Sequence, residues 1–361
     1  MSFGRFFLPG PTEVHPEVLQ AQVEAMIGHR GPGIQGLVAE LQAGLKAVFV
    51  TERPVLISSS SATGFMEAAV RNGASGKVLA LVNGAFSQRF GDIARACGLD
   101  VDEIAVPWGE AHDPADLAAK LAQGSYDAVT VVHSETSTGV LNDIPALAAV
   151  VAEHEDTFLL VDSVTGVGGA EMRADDWGLD FVLTGSQKAL ALPPGLAFAV
   201  ASERMMARSA SMTGKGVYFD LMAFAKNLEN FQTPTTPALS LFYALRHQLG
   251  RIEEETMEGR WARHRTMAER TWAWTEAMRE ERGVDVRVMA PQGFRSPTVT
   301  TVRLPEGLSG PSIVKGTRDR GWVIGGGYGK LKEGTIRIGH MGDHTLAELN
   351  ELLDVLEEVI R

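Results

Sequence analysis

Apolar positions along the chain recur in two distinct periods. Pro54-Val-Leu-Ile57, Val78-Leu-Ala-Leu-Val82, Ala128-Val-Thr-Val-Val132, Phe158-Leu-Leu-Val161, Phe181-Val-Leu183 and Ala197-Phe-Ala-Val200 are almost continuously apolar rather than alternating. Runs of this kind predict strands buried on both faces, as in a parallel sheet. Between them the spacing becomes helical, predicting helices over about 34–49, 65–71, 87–97, 113–123 and 145–154, with a further strand at about 101–106. This βαβα alternation predicts an α/β fold with helices on both faces of a mostly parallel sheet. Beyond a short helix at 203–208 lies a long stretch, 211–236, punctuated by Gly and Pro, and a loop of that length is usually functional or at an interface.

The pattern changes again towards the C-terminus. Helices are expected over about 238–249 and 252–282, then strands at 284–288, 298–304, 321–325 and 335–338 and helices at 310–319 and 345–360. That is a small α+β unit with its helices on one side of a sheet. At the other end, Pro9, Gly10, Pro11 and Pro16 predict an extended arm over 1–16, followed by a helix from Glu17 to about Met26. The expected organisation is an arm (1–16), a large domain (17–250) and a small domain (251–361) joined by the long helix.

Composition removes several classes of function. A net charge of −12 over 361 residues argues against nucleic acid or an anionic membrane as partner. The single cysteine, Cys97, cannot form an internal disulfide and fits a reducing compartment. No apolar run approaches the ~20 residues of a membrane span, and Met-Ser-Phe-Gly-Arg lacks the apolar core of a secretory signal. A soluble cytoplasmic protein is expected.

The chemistry gathers at two strand ends. Phe158-Leu-Leu-Val-Asp162 closes a buried strand with a carboxylate, and open α/β sheets bind ligands at that edge. Asp180-Phe-Val-Leu-Thr-Gly-Ser-Gln-Lys188 closes another with a lysine, which Pro193-Pro-Gly195 follows in a stiff turn. An amine kept uncharged by apolar surroundings is a good nucleophile towards a carbonyl. Lys and Asp so placed are what pyridoxal phosphate needs: the first holds its aldehyde as an imine, the second keeps its ring nitrogen protonated. The pair alone is weak evidence, because strand-end Asp and Ser-x-Lys are common in α/β proteins.

Other motifs carry less. Ser58-Ser-Ser-Ser-Ala-Thr-Gly64 opens a helix, and its small residues would expose N–H groups to an anion, although for this run alone an ordinary N-cap is the better explanation. His133 and Glu135 lack a third ligand at useful spacing, and His340 and His344 lack the Glu of a zinc helix, so no metal is expected. Gly166-Val-Gly-Gly169 departs from the dinucleotide spacing, and Gly325-Gly-Gly-Tyr-Gly-Lys330 precedes Leu331 where a phosphate loop requires Ser or Thr.

Val161-Asp-Ser-Val-Thr-Gly-Val-Gly-Gly169 and Thr184-Gly-Ser-Gln-Lys-Ala-Leu-Ala-Leu-Pro-Pro-Gly195 resemble the two signature segments of class V (fold type I) aminotransferases. The resemblance is to the alanine/serine–glyoxylate branch and extends from Leu8-Pro-Gly-Pro-Thr12 to Arg337-Ile-Gly-His-Met-Gly342. It implies a large domain with a seven-stranded, mostly parallel sheet, a small C-terminal domain, and pyridoxal 5'-phosphate as cofactor. It also implies that Lys188 and Asp162 are catalytic, that Phe86 stacks on the cofactor ring, and that Ser61, Ala62 and Thr63 cradle its phosphate. Ser137 would contact the ring oxygen, Gln187 would add a phosphate contact, and Val164 would also bind the cofactor. Thr235, with Gln232 nearby, would reach the phosphate of a second copy's cofactor, so a homodimer is implied; several relatives carry an aromatic where Gln232 stands. Arg337 would grip the substrate carboxylate bidentately, with Gly10, Ser137 and Arg30 also at the substrate.

The implied reaction is ping-pong transfer of an amino group from Ala or Ser to a 2-oxo acid such as glyoxylate or pyruvate. His29-Arg30 resembles the side-chain-phosphate contact of phosphoserine aminotransferases, which, with a broad-specificity aspartate-type enzyme, is the alternative. Cysteine desulfurases of the same class need a mobile nucleophilic Cys, and Cys97 at the end of an early helix does not suit that role. A cofactor-binding protein without turnover is the rival from outside enzymology, and the presence of Lys188, Asp162 and Arg337 together argues against it.

Overall fold

The computed structural model describes residues 3–360, so the first two residues of the expected arm and the last of the expected small domain lie outside the described residues. The apolar runs form one seven-stranded sheet. In spatial order its strands are Val55–Ser58, Ala197–Ala201, Phe181–Gly185, Phe158–Asp162, Ala128–Val132, Lys77–Val82 and Asp100–Ala105. All pairings are parallel except those of Ala197–Ala201, which runs antiparallel to both neighbours. The five strands from Val55–Ser58 to Ala128–Val132 are buried along nearly their whole length, which is why their sequences do not alternate. Helices cover the sheet on both faces over two apolar cores. One is centred on Pro32–Phe49 and Leu239–Glu255, the other on Ala62–Gly73 with Phe65, Phe181 and Phe224.

The chain leaves Lys77–Val82 outwards to Asp100–Ala105 and then returns to lay Ala128–Val132 on its other side. Strand order reverses there, so a crevice opens at the carboxyl ends of these strands, where α/β sheets place their ligands.

A second sheet has five strands, in the order Phe6–Phe7, Val323–Gly326, Thr335–Ile338, Thr300–Arg303 and Arg287–Val288. It packs on Met257–Arg282, Gly310–Asp319 and Leu346–Ile360 through Trp274, Met278, Ile313, Leu352 and Leu356. The arm is therefore not free: Phe6 and Phe7 pair in parallel with Val323 and Ile324, and Phe7 is fully buried. Two residues of pairing are too short to show in the hydropathy pattern.

Three other expectations change. The helix expected to reach Met26 ends its α-turns at Gln20, then makes one 3-10 turn over Ala21–Val23. Val23 and Met26 are 72% and 65% exposed, so no apolar contact within this chain sustains a longer helix. The stretch 211–236 contains a helix, Leu221–Leu228, capped by the Asp220 side chain and anchored by buried Leu221 and Phe224. The break between the two long helices falls at Thr256, whose φ is +64° and whose hydroxyl accepts from Gly259 N. No helix among the described residues is long and apolar enough to cross a membrane.

Candidate active site

The crevice holds a cavity of about 410 Å³ whose wall includes Lys188, Asp162, Phe86, Gln187, Val164 and Gly10. Asp162 is the last residue of its strand and is 3% exposed. One carboxylate oxygen accepts from Val164 N at 2.8 Å, and no other donor reaches it among the described residues. Burial pushes its pKa up to about 7; the Val164 N–H opposes the shift, and the nearby Glu135 carboxylate adds to it.

Lys188 follows the neighbouring strand in a turn tied down on both sides. Thr12 N donates to Gln187 O at 2.9 Å, and the Thr12 hydroxyl to Lys188 O at 2.9 Å. The side chain is 8% exposed, and Nζ donates to Pro9 O at 2.5 Å. Burial lowers its pKa to about 8, with Arg337 and Arg89 adding to the fall and Asp162 opposing it. Gly10, with φ of +105°, passes so close that a Cβ there would overlap the Lys188 ammonium. The arm thus forms the wall over the lysine, which explains why prolines and a glycine occupy it.

Ser61, Ala62 and Thr63 line the cavity where the helix Ala62–Gly73 begins. The Ser61 side chain makes no capping hydrogen bond, so the first N–H groups of that helix remain open to an anion. Phe86 lies in the first turn of Ala85–Ala96, whose start is held by a fully buried carboxylate. Glu135 accepts from Phe86 N, Ser87 N at 2.9 Å and the Ser87 hydroxyl at 3.0 Å.

Four expected residues lie elsewhere. Ser137 is fully buried and does not line the cavity. Its hydroxyl donates to Glu135 at 2.6 Å and accepts from Ala85 N, while Ser134 and Thr136 stand on the wall instead. Gln232 lies in a separate small pocket with Val38 and Phe224, and the Thr235 carbonyl accepts the Thr233 hydroxyl away from this chain's cavity. The Arg30 guanidinium is spent on Thr233 O at 3.0 Å and Pro234 O at 3.4 Å, so in its own chain it faces that segment rather than the site.

Arg337 stands just behind the wall. It donates to Gly326 O at 2.8 Å and to Thr136 O at 3.2 Å, and its guanidinium lies 5.5 Å from the Tyr328 ring centroid. Burial lowers its pKa. Among the lining residues not singled out from the sequence are Arg89 and Tyr328. Arg89 is one helical turn beyond Phe86 and so on its face, a signal the spacing offered. Tyr328 sits in the glycine run Gly325–Lys330, whose only sequence signal is an incomplete phosphate-loop pattern.

His133 and Ser163 hydrogen-bond each other at 2.9 Å, and burial lowers the imidazole pKa to about 4. Among the described residues no three His, Cys, Asp or Glu side chains converge as metal ligands.

A buried lysine and a buried carboxylate at adjacent strand ends, with an open helix N-terminus across one cavity, fit pyridoxal phosphate and define a fold type I enzyme of that cofactor. Residues 10–303 match the family model described as Aminotransferase class-V. The chain is 34% identical to the L-aspartate–glyoxylate aminotransferase of Paracoccus denitrificans, over 94% of this chain and 86% of that one. It is 33% identical to the serine–glyoxylate aminotransferase of Methylorubrum extorquens, over 96% and 87%. A crystal structure of the alanine–glyoxylate aminotransferase of Nostoc sp. superposes with a TM-score of 0.93 at 31% identity, covering 100% of this chain and 96% of that one. The chain belongs to the class V aminotransferases, in the glyoxylate aminotransferase-like branch, and is a pyridoxal-phosphate-dependent enzyme of that class.

Proposed function

We propose that the protein transfers the amino group of a small L-amino acid, alanine or serine, to glyoxylate or a similar 2-oxo acid. The observation that carries this reading is the pairing of Lys188 and Asp162 on one cavity wall, with Arg337 behind it. The three relatives differ in their named donor, aspartate, serine or alanine, and share glyoxylate, so the acceptor is the better supported half.

Bound at Lys188, pyridoxal phosphate supplies a protonated ring that takes up the electron pair released at a substrate Cα. The remaining work falls to the chain. Asp162 holds the proton at the ring nitrogen, and its burial makes that charge-assisted bond strong. Lys188 Nζ, whose charged form burial disfavours, would take the Cα proton and deliver it to the cofactor carbon on the far side of the imine nitrogen. Phe86 offers an apolar face to the ring, and the open N–H groups of Ala62 and Thr63 hold the phosphate beside Gln187 and Val164. Arg337 grips the substrate carboxylate in two parallel hydrogen bonds, and Gly10 leaves room for it.

Thr235, with Gln232 and Arg30 alongside, serves the site of a second copy. Supporting this, all three lie off their own cavity, and the exposed apolar residues Val23, Met26, Val217 and Phe231 fit a covered dimer face. An acidic donor of the aspartate type is the second reading, favoured by Arg89 on the cavity wall. The phosphoserine reading loses its own-chain support, because Arg30 points away.

Single-turnover absorbance scans test the proposal. Loss of the visible band on adding alanine or serine, with recovery on adding glyoxylate, is expected. Bleaching by aspartate alone, or by phosphoserine and glutamate alone, would replace it with one of the alternatives.

A further inference from the structure

Arg89 faces the cavity without a carboxylate partner among the described residues, in a chain with 45 acidic and 33 basic side chains. Most arginines here are paired with Asp or Glu; this one lies over the Phe86 ring at 4.9 Å, is exposed, and donates only to the Tyr328 hydroxyl at 3.1 Å. Its charge reaches the reaction centre, since it lowers the pKa of both Lys188 and Asp162. Tyr328 comes from the other sheet, in the turn after Val323–Gly326. Its ring lies 5.3 Å from Phe86, between the guanidiniums of Arg89 and Arg337. A substrate held by Arg337 would lie beside Tyr328, and a second anionic group on its side chain would have to pass the tyrosine to meet Arg89.

We infer that Tyr328 is a specificity-determining residue which caps Arg89, so that the cavity favours small donors and keeps a latent subsite for a distal carboxylate or phosphate closed. The inference rests on the aminotransferase reading above for its kinetic test only. A guanidinium released from a phenol would hold a carboxylate in two parallel bonds, a stronger and more directional interaction than the one it replaces. Removing the ring also opens space for a four- or five-carbon chain. Discrimination here is thus exclusion as well as fit.

The test compares kcat/KM for L-alanine, L-aspartate and phosphoserine in the cofactor-loaded wild type, Tyr328→Ala, and Tyr328→Ala with Arg89→Gln. The wild type should prefer alanine. Tyr328→Ala should raise the ratio of aspartate or phosphoserine to alanine by at least ~10-fold, and adding Arg89→Gln should erase that gain. In calorimetry, which needs no turnover, succinate should bind Tyr328→Ala at least ~10-fold tighter than the wild type, while propionate changes less than ~2-fold. Tyr328→Phe, which keeps the ring, should give a smaller gain and serves if the alanine variant does not fold.

A ratio that moves less than ~2-fold, or a gain that survives Arg89→Gln, would overturn the inference, as would a wild type that prefers aspartate. If no donor bleaches the wild type, the aminotransferase reading fails. The succinate arm then still decides whether Tyr328 caps an anion subsite.

Discussion

Two sets of charges are buried in this protein, and they are treated in opposite ways. Arg260, on the long helix, is 1% exposed and fully provided for. It donates to Gly168 O at 3.1 Å, Ala189 O at 2.7 Å, Glu255 at 2.9 Å and Asp343 at 2.9 Å. Burial alone would raise the Asp343 pKa, yet Arg260, Arg251 and Gln248 hold it below the usual carboxylate range. Asp162 and Lys188 are as deeply buried, but each has one protein hydrogen bond from its charged group, and both are pushed towards neutrality near pH 7–8. Burial of charge therefore does not mark the site. What marks it is burial without satisfaction, a cost that fits the proposed role of substrate and cofactor in completing the set.

The comparison is sharpest at the lysine. Lys188→Ala should lower turnover by ~10⁴-fold or more, because the proposed covalent anchor and proton carrier are both lost. Its stability should not fall, since the side chain's charged form is unfavourable where it sits; steady-state assay and thermal melting separate the two effects.

Asp162→Asn should cost roughly 10³-fold in turnover and yet stabilise the cofactor-free protein. The sign follows from its raised pKa. The folded state holds a proton that the unfolded chain releases from about pH 4, so wild-type stability falls as pH rises from about 4 to about 7. Lys188 acts in the opposite sense higher up, where stability rises with pH between about 8 and 10.5. Urea melts of the cofactor-free protein at pH 5 and pH 7.5 should show the loss in the wild type, by roughly 2 kcal/mol or more, and little of it in Asp162→Asn. Equal slopes in the two proteins would break the contrast.

Gly10→Ala should reduce turnover by roughly 10²-fold, because the methyl group displaces the Lys188 amine. A weaker visible band in the loaded enzyme would locate the fault at the lysine rather than in folding.

At the satisfied set the expected loss is of stability. Arg260→Met should cost roughly 3 kcal/mol by taking from Asp343 its closest ion-pair partner and leaving it only Arg251 and Gln248, and Asp343→Leu added to it should recover part of that. Cys97→Ser should be the mildest change, leaving transamination within ~2-fold; a large loss would reopen the desulfurase reading.

Much of the site was legible because its elements are local in sequence. Asp162, Lys188 and Ser61–Thr63 each sit where a buried apolar run stops, and a strand end that exchanges hydrophobes for Asp, Lys or small polar residues is visible without coordinates. Phe86, inside the first turn of a helix, was expected only from the family resemblance, since an aromatic there reads as core from sequence alone. That Ser137 lies off the cavity wall was not legible, because a hydroxyl two residues from Glu135 is claimed by that carboxylate, and only packing shows it.

The sequence by itself determined the alternation of strands and helices and the buried strand ends that carry Asp162 and Lys188, because burial and period are properties of short windows. Tertiary structure decided the rest. It laid Phe6 and Phe7 into the second sheet, drew Pro9 and Gly10 across the lysine, and brought Tyr328 to Arg89. Each of these joins residues far apart in the chain, and no local pattern records a contact whose two halves meet only when separate cores pack.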